Sequence, residues 1–465
     1  MNKEEQSMYL GIDVSKGYAD FFLMDENKQC MDPGFQLDDN FEGHQELEMY
    51  LGKQSSRGKK IICGVESTGG YEQNWITVLK RQKGHLPVEV YKVNPKGVKH
   101  QIESTLKRTI TDCVSAEGIA HYLANNYVKK QQDWHNTTCE DDQVVSAQHC
   151  FRLIQGLIKQ QTARYNQLEK MLYGDFPELL TFCKHGIPTW MIRLLIRYPG
   201  LASIQRAHIA SIDGIPGISK GKADQIKSLA RTSVAAPAPS IQEKMIKSLS
   251  EDIQYHQGRI EDLKAYLTET YTNPNLAILK SIRGISDWTA TALLILLGSV
   301  DRFEGTDQIA AFFGVNPRYK QSGDGKWGVH MSKQGSSSMR SILYIAANNV
   351  VLHEPYFKKL YHHYASKGIK PRSVRGIIMH KLLRVIYGML KNKTCFDQQT
   401  DETNQQKSPS QTARPITDSS RRYQKLSTGA PISRSNYKKR RAVLECQISE
   451  SDTRTASSST APPQK

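Results

Sequence analysis

The first 125 residues alternate short apolar runs with helical periodicity, and this alternation constrains the fold more than any other feature. Four runs are predicted to be strands, at residues 9–14, 19–24, 61–65 and 87–93. Helical periodicity fills residues 41–51, 72–82 and 113–123. Short strands alternating with helices are typical of a sheet covered by helices. The sequence therefore predicts an α/β N-terminal domain over residues 8–130, organised like a ribonuclease-H-type fold.

Three acids stand where these strands end or where a helix begins. They are Asp13 in Gly11-Ile12-Asp13-Val14-Ser15-Lys16, Glu66 after the third strand, and Asp112 before the last helix. Taken singly they are interpreted as a turn residue, a surface acid and a helix N-terminal acid that the macrodipole favours. Jointly they predict a magnesium site, because Mg²⁺ prefers carboxylate oxygens and assists phosphodiester chemistry.

The charge balance favours a polyanionic partner. The net charge is +17 and the pI is about 9.3, and nucleic acid is the commonest partner of such a chain. The eight cysteines have neither CxxC nor zinc-type spacing, which predicts reduced thiols. With no signal-peptide pattern and no apolar run of about 18 residues, we expect a cytoplasmic protein without membrane contact.

Two long amphipathic helices are predicted at residues 141–176 and 241–270. They flank an insertion, and together they indicate a helical coiled-coil arm over residues 141–275, structural or dimerising in role. The insertion contains a predicted helix-hairpin-helix element at 212–223, and residues 281–290 show the same pattern of a glycine-containing hairpin between helices. Each hairpin is interpreted either as a phosphate-docking site with exposed amides or as a plain packing unit.

The remaining chain divides into a helical part and a polar part. Residues 276–393 are predicted to form a mainly α C-terminal domain, with helices at 338–352 and 376–390. Beyond them, residues 394–465 are rich in Ser, Thr, Gln, Pro and Arg, which predicts a disordered basic tail. The cluster Tyr437-Lys438-Lys439-Arg440-Arg441 indicates an electrostatic nucleic-acid contact or a solvated tail without a fixed role.

Two blocks of motifs resemble the DEDD transposases of the IS110/IS1111 type and the related site-specific DNA invertases. The N-terminal block contains Gly11-Ile12-Asp13-Val14-Ser15-Lys16, Glu66-Ser67-Thr68-Gly69-Gly70-Tyr71, Val93-Asn94-Pro95 and Thr111-Asp112. The C-terminal block contains Ile282-Arg283-Gly284-Ile285, Ala310-Ala311-Phe312-Phe313-Gly314-Val315-Asn316-Pro317-Arg318, Ser322-Gly323 and Ser332-Lys333-Gln334-Gly335. Together they cover most of residues 8–391.

The resemblance implies a RuvC-like domain with magnesium at Asp13, Glu66 and Asp112, and a second domain over 276–393 with a catalytic serine. Ser322 matches that serine, which would form a covalent phosphoserine link to DNA. The family likeness also implies a homo-oligomer (dimer or tetramer), DNA at the element ends and target, an element-encoded guide RNA in some members, and a bacterial, nucleoid-associated location. The flanking cations predicted to contact phosphate are Arg318, Lys320, Lys333 and Arg340.

One position departs from the family pattern. The fourth acid follows the third by three residues, and here that position is Ser115. Glu117 lies about 200° around the helix from Ser115, so it is a poor substitute. Four interpretations stay open: a transposase, a site-specific invertase, a metal-dependent nuclease or junction resolvase, and a nucleic-acid-binding derivative that Ser115 has inactivated.

Overall fold

The computed structural model describes the chain in the following segments: 7–55, 59–66, 69–82, 84–104, 111–130, 135–136, 142–235, 240–318, 321–322, 325–326, 330–400, 437–438 and 441. The predicted basic cluster at 437–441 lies mostly outside these segments, as does most of the predicted tail. None of the helices within these segments combines the length and the hydropathy that crossing a bilayer requires.

A six-stranded mixed sheet forms the N-terminal domain. Its strands are β1 (Ser7–Ser15), β2 (Tyr18–Asp25), β3 (Cys30–Asp38), β4 (Lys60–Glu66), β5 (Val88–Val93) and β6 (His135–Asn136). The spatial order is β3-β2-β1-β4-β5-β6. β2 is antiparallel to both of its neighbours, β1 and β3, whereas β4 is parallel to β1 and β5 is parallel to β4.

Helices cover both faces of this sheet. They are α1 (Phe41–Ser55), α2 (Glu72–Gln82), α3 (Pro95–Ser104) and α4 (Asp112–Lys130). One face packs with α1 and α2 around a core that includes Ile12, Phe21 and Trp75. The opposite face packs with α3 and α4 around a second core. The predicted α/β domain is thereby confirmed, together with its four predicted strands and three predicted helices.

The predictions missed β3 and α3. β3 is mostly exposed, contains Pro33 and Gly34, and pairs with β2 through register irregularities. Proline and glycine inside a run argue against a strand, so its sequence lacks the usual signals.

Two glycines allow α4 to lie close against the sheet. Gly11 of β1 and Gly64 of β4 are register partners. A Cβ atom on Gly11 would lie 2.6 Å from the backbone nitrogen of Ala120 and closer still to the carbonyl oxygen of Ala116. A Cβ on Gly64 would lie 2.5 Å from Leu123 Cδ1. The backbone of α4 at Gly11, and the Leu123 side chain at Gly64, therefore occupy space that a side chain of the strand would fill elsewhere.

Beyond the sheet, two long helices run antiparallel. α5 (Asp142–Asp175) and α10 (Ser240–Thr270) are joined near one end by Gln143 Nε2, which donates to the Thr270 oxygen over 3.1 Å. Further along, Gln161 Nε2 donates to the Ile253 oxygen over 3.4 Å. The two predicted long helices are confirmed within one residue at most ends.

Between them lie a 3₁₀ helix (Pro177–Phe182), α6 (Thr189–Arg197), α7 (Leu201–Arg206), α8 (Ile209–Asp213) and α9 (Lys220–Arg231).

The C-terminal region is mainly helical, as predicted. Its elements are α11 (Leu276–Lys280), α12 (Asp287–Leu297), a 3₁₀ helix (Val300–Arg302), α13 (Thr306–Phe313), β7 (Pro317–Arg318), β8 (Gln321–Ser322), β9 (Gly325–Lys326), β10 (His330–Met331), α14 (Ser337–His353), α15 (Pro355–Ser366) and α16 (Pro371–Asn392). Between β7 and β10 four short strands pair, and the sequence did not predict them. After α16 the chain stays packed as far as Phe396, whose ring stacks on Phe357.

The two predicted hairpins between helices adopt the same backbone geometry. Each contains a glycine at positive φ, Gly217 at 94° and Gly284 at 98°. In each, the isoleucine after the glycine donates to the carbonyl oxygen of the isoleucine before it, over 3.0 and 3.2 Å. Each hairpin also packs into a different core cluster. Their contact with phosphate stays a prediction.

We expect Gly11→Ala to destabilise the N-terminal domain. The added methyl group would meet the backbone of α4 at Ala116 and Ala120, which cannot turn aside as a flexible side chain does. Overpacking of this kind costs about 1–3 kcal/mol, occasionally more. Denaturant unfolding followed by circular dichroism would measure the free energy of unfolding. Gly52→Ala in α1 is the matched control, because nothing lies within 4 Å of its added Cβ. Equal stability of the two variants would contradict the close-packing argument.

Candidate active site

The strand periodicity brings two of the predicted acids to the same face of the sheet. Alternate residues of a strand share a face. Tyr9 of β1 belongs to the core beneath α4, so Asp13, four residues further on, projects to that face. Ile62 of β4 belongs to the same core, so Glu66 also projects there. Because β1 and β4 are parallel neighbours, both carboxylates lie at their carboxyl ends.

A glycine turn follows Glu66 and leads β4 into α2. Gly69 and Gly70 adopt φ values of 87° and 132°, in a region that other residues rarely enter. The amide of Gly70 donates to Glu72 Oε2 over 2.8 Å, at the first residue of α2. Part of the motif around Glu66 is therefore explained by backbone geometry; Ser67 and Thr68 lie outside the described residues.

The third acid, Asp112, begins α4 and reaches the same edge from above the sheet. Its Oδ2 accepts a hydrogen bond from the Tyr18 hydroxyl over 3.0 Å, and Tyr18 is the first residue of β2. One turn later on α4, the hydroxyl of Ser115 lies near the carboxylate of Asp13 and lowers its pKa. The start of α4 thus has a direct contact with β2 through Asp112 and lies near β1 at Ser115.

The electrostatics of Asp13 indicate that the acids are close neighbours. Burial and then the negative charges of Glu66, Asp112 and Asp20 raise the pKa of Asp13 to about 6, against a small opposing effect of the Ser115 hydroxyl. Burial also raises the pKa of Glu66. The charged groups that act on Asp13 are therefore all carboxylates, and their mutual repulsion is what a bound cation would relieve.

The donor chemistry of this site fits a hard divalent cation. Its side chains offer carboxylate oxygens, which Mg²⁺ prefers, and Mg²⁺ often keeps several waters while one or two carboxylates bind it. Within the described part of the chain, no three His, Cys, Asp or Glu side chains form a closed ligand set. The acids are thus grouped at one edge without being drawn together as they are around a bound ion.

The predicted serine lies in an antiparallel hairpin of the C-terminal region. Ser322 of β8 pairs with Gly325 of β9, and nearer the base of the hairpin Arg318 of β7 pairs with His330 of β10. The base is anchored to the preceding helix, because the amide of Lys333 donates to the Gly314 oxygen over 3.0 Å. The backbone therefore presents Ser322 in the outer of two paired segments.

Three of the four predicted phosphate-contacting cations lie near this hairpin within the described residues. Arg318 and Lys333 are exposed, and Lys333 adopts a positive φ of 54°. Arg340 lies on α14, where its Nη1 donates to the Gly335 oxygen over 2.6 Å and so helps to hold the hairpin base. Lys320 lies outside the described residues. Arg340 therefore has a structural contact beside any role toward phosphate.

Two family models match the chain in the order that the motifs predict. The model of a transposase family of the IS110 type matches residues 10–177, and the model of the transposase IS116/IS110/IS902 family matches residues 276–362. The chain belongs to the IS110 family of transposases. The first match contains Asp13, Glu66 and Asp112, and the second contains Ser322.

Individual relatives agree with this membership. A pilin gene-inverting protein of Moraxella lacunata is 28% identical over 137 residues, which cover 28% of this chain and 41% of the relative. An IS110 insertion-element protein of Streptomyces coelicolor is 21% identical over 254 residues, covering 52% and 62%. A probable family 20 transposase of Pseudomonas aeruginosa is 22% identical over 171 residues, covering 35% and 49%. The chain thus matches less than two thirds of the length of each of these relatives.

The sequence reasoning missed two residues at the acidic edge, Tyr18 and Asp20. Tyr18 hydrogen-bonds Asp112, and Asp20 is the register partner of Asp13. The signal for both is the two-residue connection at Lys16 and Gly17, since a hairpin closed at that point fixes which residues of β1 and β2 lie opposite each other.

We expect the contribution of Asp13 to the stability of this IS110-family chain to fall as the pH rises from about 4 to about 6 in metal-free buffer. The pKa of Asp13 is raised to about 6, above its value in the unfolded chain. The folded state therefore binds more protons in this window, and its free energy of unfolding decreases with pH. Thermal unfolding with a chelator, at pH values from 4 to 8, would measure the effect.

Asp13→Asn should remove most of this dependence and melt at a higher temperature than wild type at pH 7.5, with little difference at pH 4. Asp25→Asn, at the other end of β2, leaves Asp13 in place and should keep the decrease. A parallel shift of Asp13→Asn at all pH values would contradict the assignment of the dependence to Asp13.

Proposed function

We propose that this chain is the transposase of an insertion sequence, which cuts and rejoins DNA through a phosphoserine intermediate. The observation that carries the proposal is the grouping of Asp13, Glu66 and Asp112 at one sheet edge from three separate elements. In this proposal the N-terminal domain is RuvC-like, of the ribonuclease-H type. The central strand order β3-β2-β1-β4-β5, with β4 and β5 parallel to β1, supports that assignment.

Asp13, Glu66 and Asp112 would hold Mg²⁺ in this proposal. The ion would supply positive charge to offset the charge that develops on the phosphate during reaction. One hydrogen bond prepares a carboxylate for this role, because the Tyr18 hydroxyl orients Asp112. The nearby Ser115 hydroxyl favours the charged form of Asp13. The repulsion among the acids keeps the site high in energy until a cation neutralises it.

Ser322 would carry out the covalent step. Its hydroxyl oxygen forms a bond to the DNA phosphorus while the bond from that phosphorus to a sugar oxygen breaks; the serine loses a proton and the leaving sugar oxygen gains one. Attack by a second sugar hydroxyl on the phosphoserine then reverses the chemistry on a new strand. The covalent link conserves the bond energy that rejoining requires.

The partners in this proposal follow from charge and from the long helices. The net charge of +17 favours a polyanionic partner. Membership of the IS110 family points to DNA at the element ends and at the target, and in some members to an element-encoded guide RNA. Arg318, Lys320, Lys333 and Arg340 would contact phosphates beside the serine. The paired helices α5 and α10 would form the coiled-coil arm through which copies of the chain assemble. Such a protein would work in the bacterial cytoplasm, at the nucleoid.

A second candidate function is site-specific inversion of DNA, which the likeness to a pilin gene-inverting protein favours. The chemistry at Ser322 would be the same, and only the arrangement of the two DNA sites would differ. A third, an inactivated nucleic-acid-binding derivative, is favoured by Ser115 at the position of the fourth acid. A nuclease or junction resolvase would use the same acids and let water attack, which leaves Ser322 without a role.

Covalent trapping tests the proposed transposase. The full chain is incubated with DNA that carries the element ends, Mg²⁺ and the RNA transcribed from the element, and is then separated by denaturing electrophoresis. We expect an adduct in wild type that Ser322→Ala abolishes. Ser366→Ala is the matched control, because this serine at the end of α15 hydrogen-bonds its own helix, at the His363 oxygen.

The outcomes separate the candidates. Strand cleavage without an adduct would favour the nuclease. An adduct that persists in Ser322→Ala would show that a residue other than Ser322 is the nucleophile. Binding without either product in wild type, with an adduct in Ser115→Asp, would favour the inactivated derivative. Recombination products on substrates with inverted sites would identify an invertase.

A further inference from the structure

The family's fourth carboxylate is absent from the first helical turns of α4. Ser115 occupies its position, and its hydroxyl lies near enough to lower the pKa of Asp13, so this neutral side chain faces the acidic edge as the missing acid would. A serine hydroxyl adds one neutral oxygen where an acid would add a negative charge. The site is therefore short of one negative charge, unless another residue provides it.

Asp20 lies where such a charge is needed. In β2 it pairs directly with Asp13 of β1, and side chains directly opposite each other in an antiparallel pair lie on the same face with Cβ atoms about 4.5–5.5 Å apart. The parity of β2 agrees, because Phe22 and Met24 belong to the core beneath α4. Asp20 therefore shares the face and the edge of Asp13 and Glu66.

The carboxylate of Asp20 has a neutral hydrogen-bond partner and no cationic one among the described residues. Its Oδ2 accepts a hydrogen bond from Gln36 Nε2 over 3.3 Å, which is a neutral partner on β3. Among the described residues, no lysine or arginine forms an ion pair with it. Burial and the charge of Asp112 raise the pKa of Asp20, against the opposing effect of Gln36. Asp20 is thus coupled to both Asp13 and Asp112.

We propose that Asp20 is the fourth carboxylate of the site, and that it compensates for Ser115 by completing the acidic set from β2 instead of α4. This inference rests on the proposed function, because it concerns the same magnesium site. It changes the interpretation of Ser115: the substitution relocates a ligand from the helix to the strand beside Asp13.

Binding of Mn²⁺ to the full chain tests this proposal without any DNA reaction. Free Mn²⁺ gives an electron paramagnetic resonance signal that decreases on binding, so a titration yields the affinity of each variant. We expect Asp20→Asn to weaken binding roughly tenfold or more. Asp25→Asn is the matched control of the same type on the same strand, and it should bind as wild type does. Circular dichroism and thermal unfolding verify that each variant is folded.

A rescue variant excludes an indirect effect. Asp20→Asn combined with Ser115→Asp returns the carboxylate to the family position, and it should recover most of the Mn²⁺ affinity. Unchanged affinity in Asp20→Asn, or a failure of the double variant to recover it, would overturn the assignment of Asp20. Asp13→Asn distinguishes failure of the magnesium site from failure of the Asp20 assignment. If Asp13→Asn loses Mn²⁺ binding and Asp20→Asn keeps it, the proposed site stands and Asp20 is not a ligand. If wild type itself fails to bind Mn²⁺, the magnesium site and this inference both fall.

Discussion

The close contact between α4 and the sheet is the constraint on which the acidic edge depends. Gly11 and Gly64 lie side by side in β1 and β4, and neither has room for a Cβ beneath the helix. If a larger residue moved α4 outward, Asp112 and Ser115 would leave their partners on the sheet. The distance between helix and sheet is set by residues without side chains, two positions before each acid on its strand. The packing core and the polar edge are therefore one structural unit.

The carboxylates in this structural unit repel one another. Four carboxylates share one edge, and burial strengthens their effect on one another because fewer waters screen them. Hydrogen bonds from Tyr18 and Gln36, together with the nearby Ser115 hydroxyl, offset part of this cost and leave the charges in place. Replacing one of these acids by a neutral residue would relieve the repulsion and increase stability. Their grouping at a single edge, opposite a helix held close by glycine, supports the proposal that the edge binds a cation.

The sequence predicted elements well wherever periodicity was strong, and it predicted the site only where a motif marked it. The helix Glu72–Gln82 was predicted at its observed bounds, because its apolar residues Trp75, Val78 and Leu79 repeat at helical spacing and are buried. β3 lacks such a pattern, since its exposed residues and Pro33 carry no strand signal. Asp20 looks in sequence like any strand acid. Its position beside Asp13 results from strand pairing across a hairpin, which depends on register and not on composition.

The long helix pair determines how the two similar hairpins are arranged. The hairpin around Gly284 packs into the cluster that includes Phe151, Leu157 and Ile260, whereas the hairpin around Gly217 packs into the cluster of Leu168, Leu172 and Ile253. Along α5 and α10 these clusters are two to three helical turns apart, or roughly 10–16 Å. Because helices have a fixed rise, the pair acts as a spacer of set length. Lengthening both helices by the same number of whole turns between the two clusters would therefore increase the distance between the hairpins, while each hairpin kept its own core.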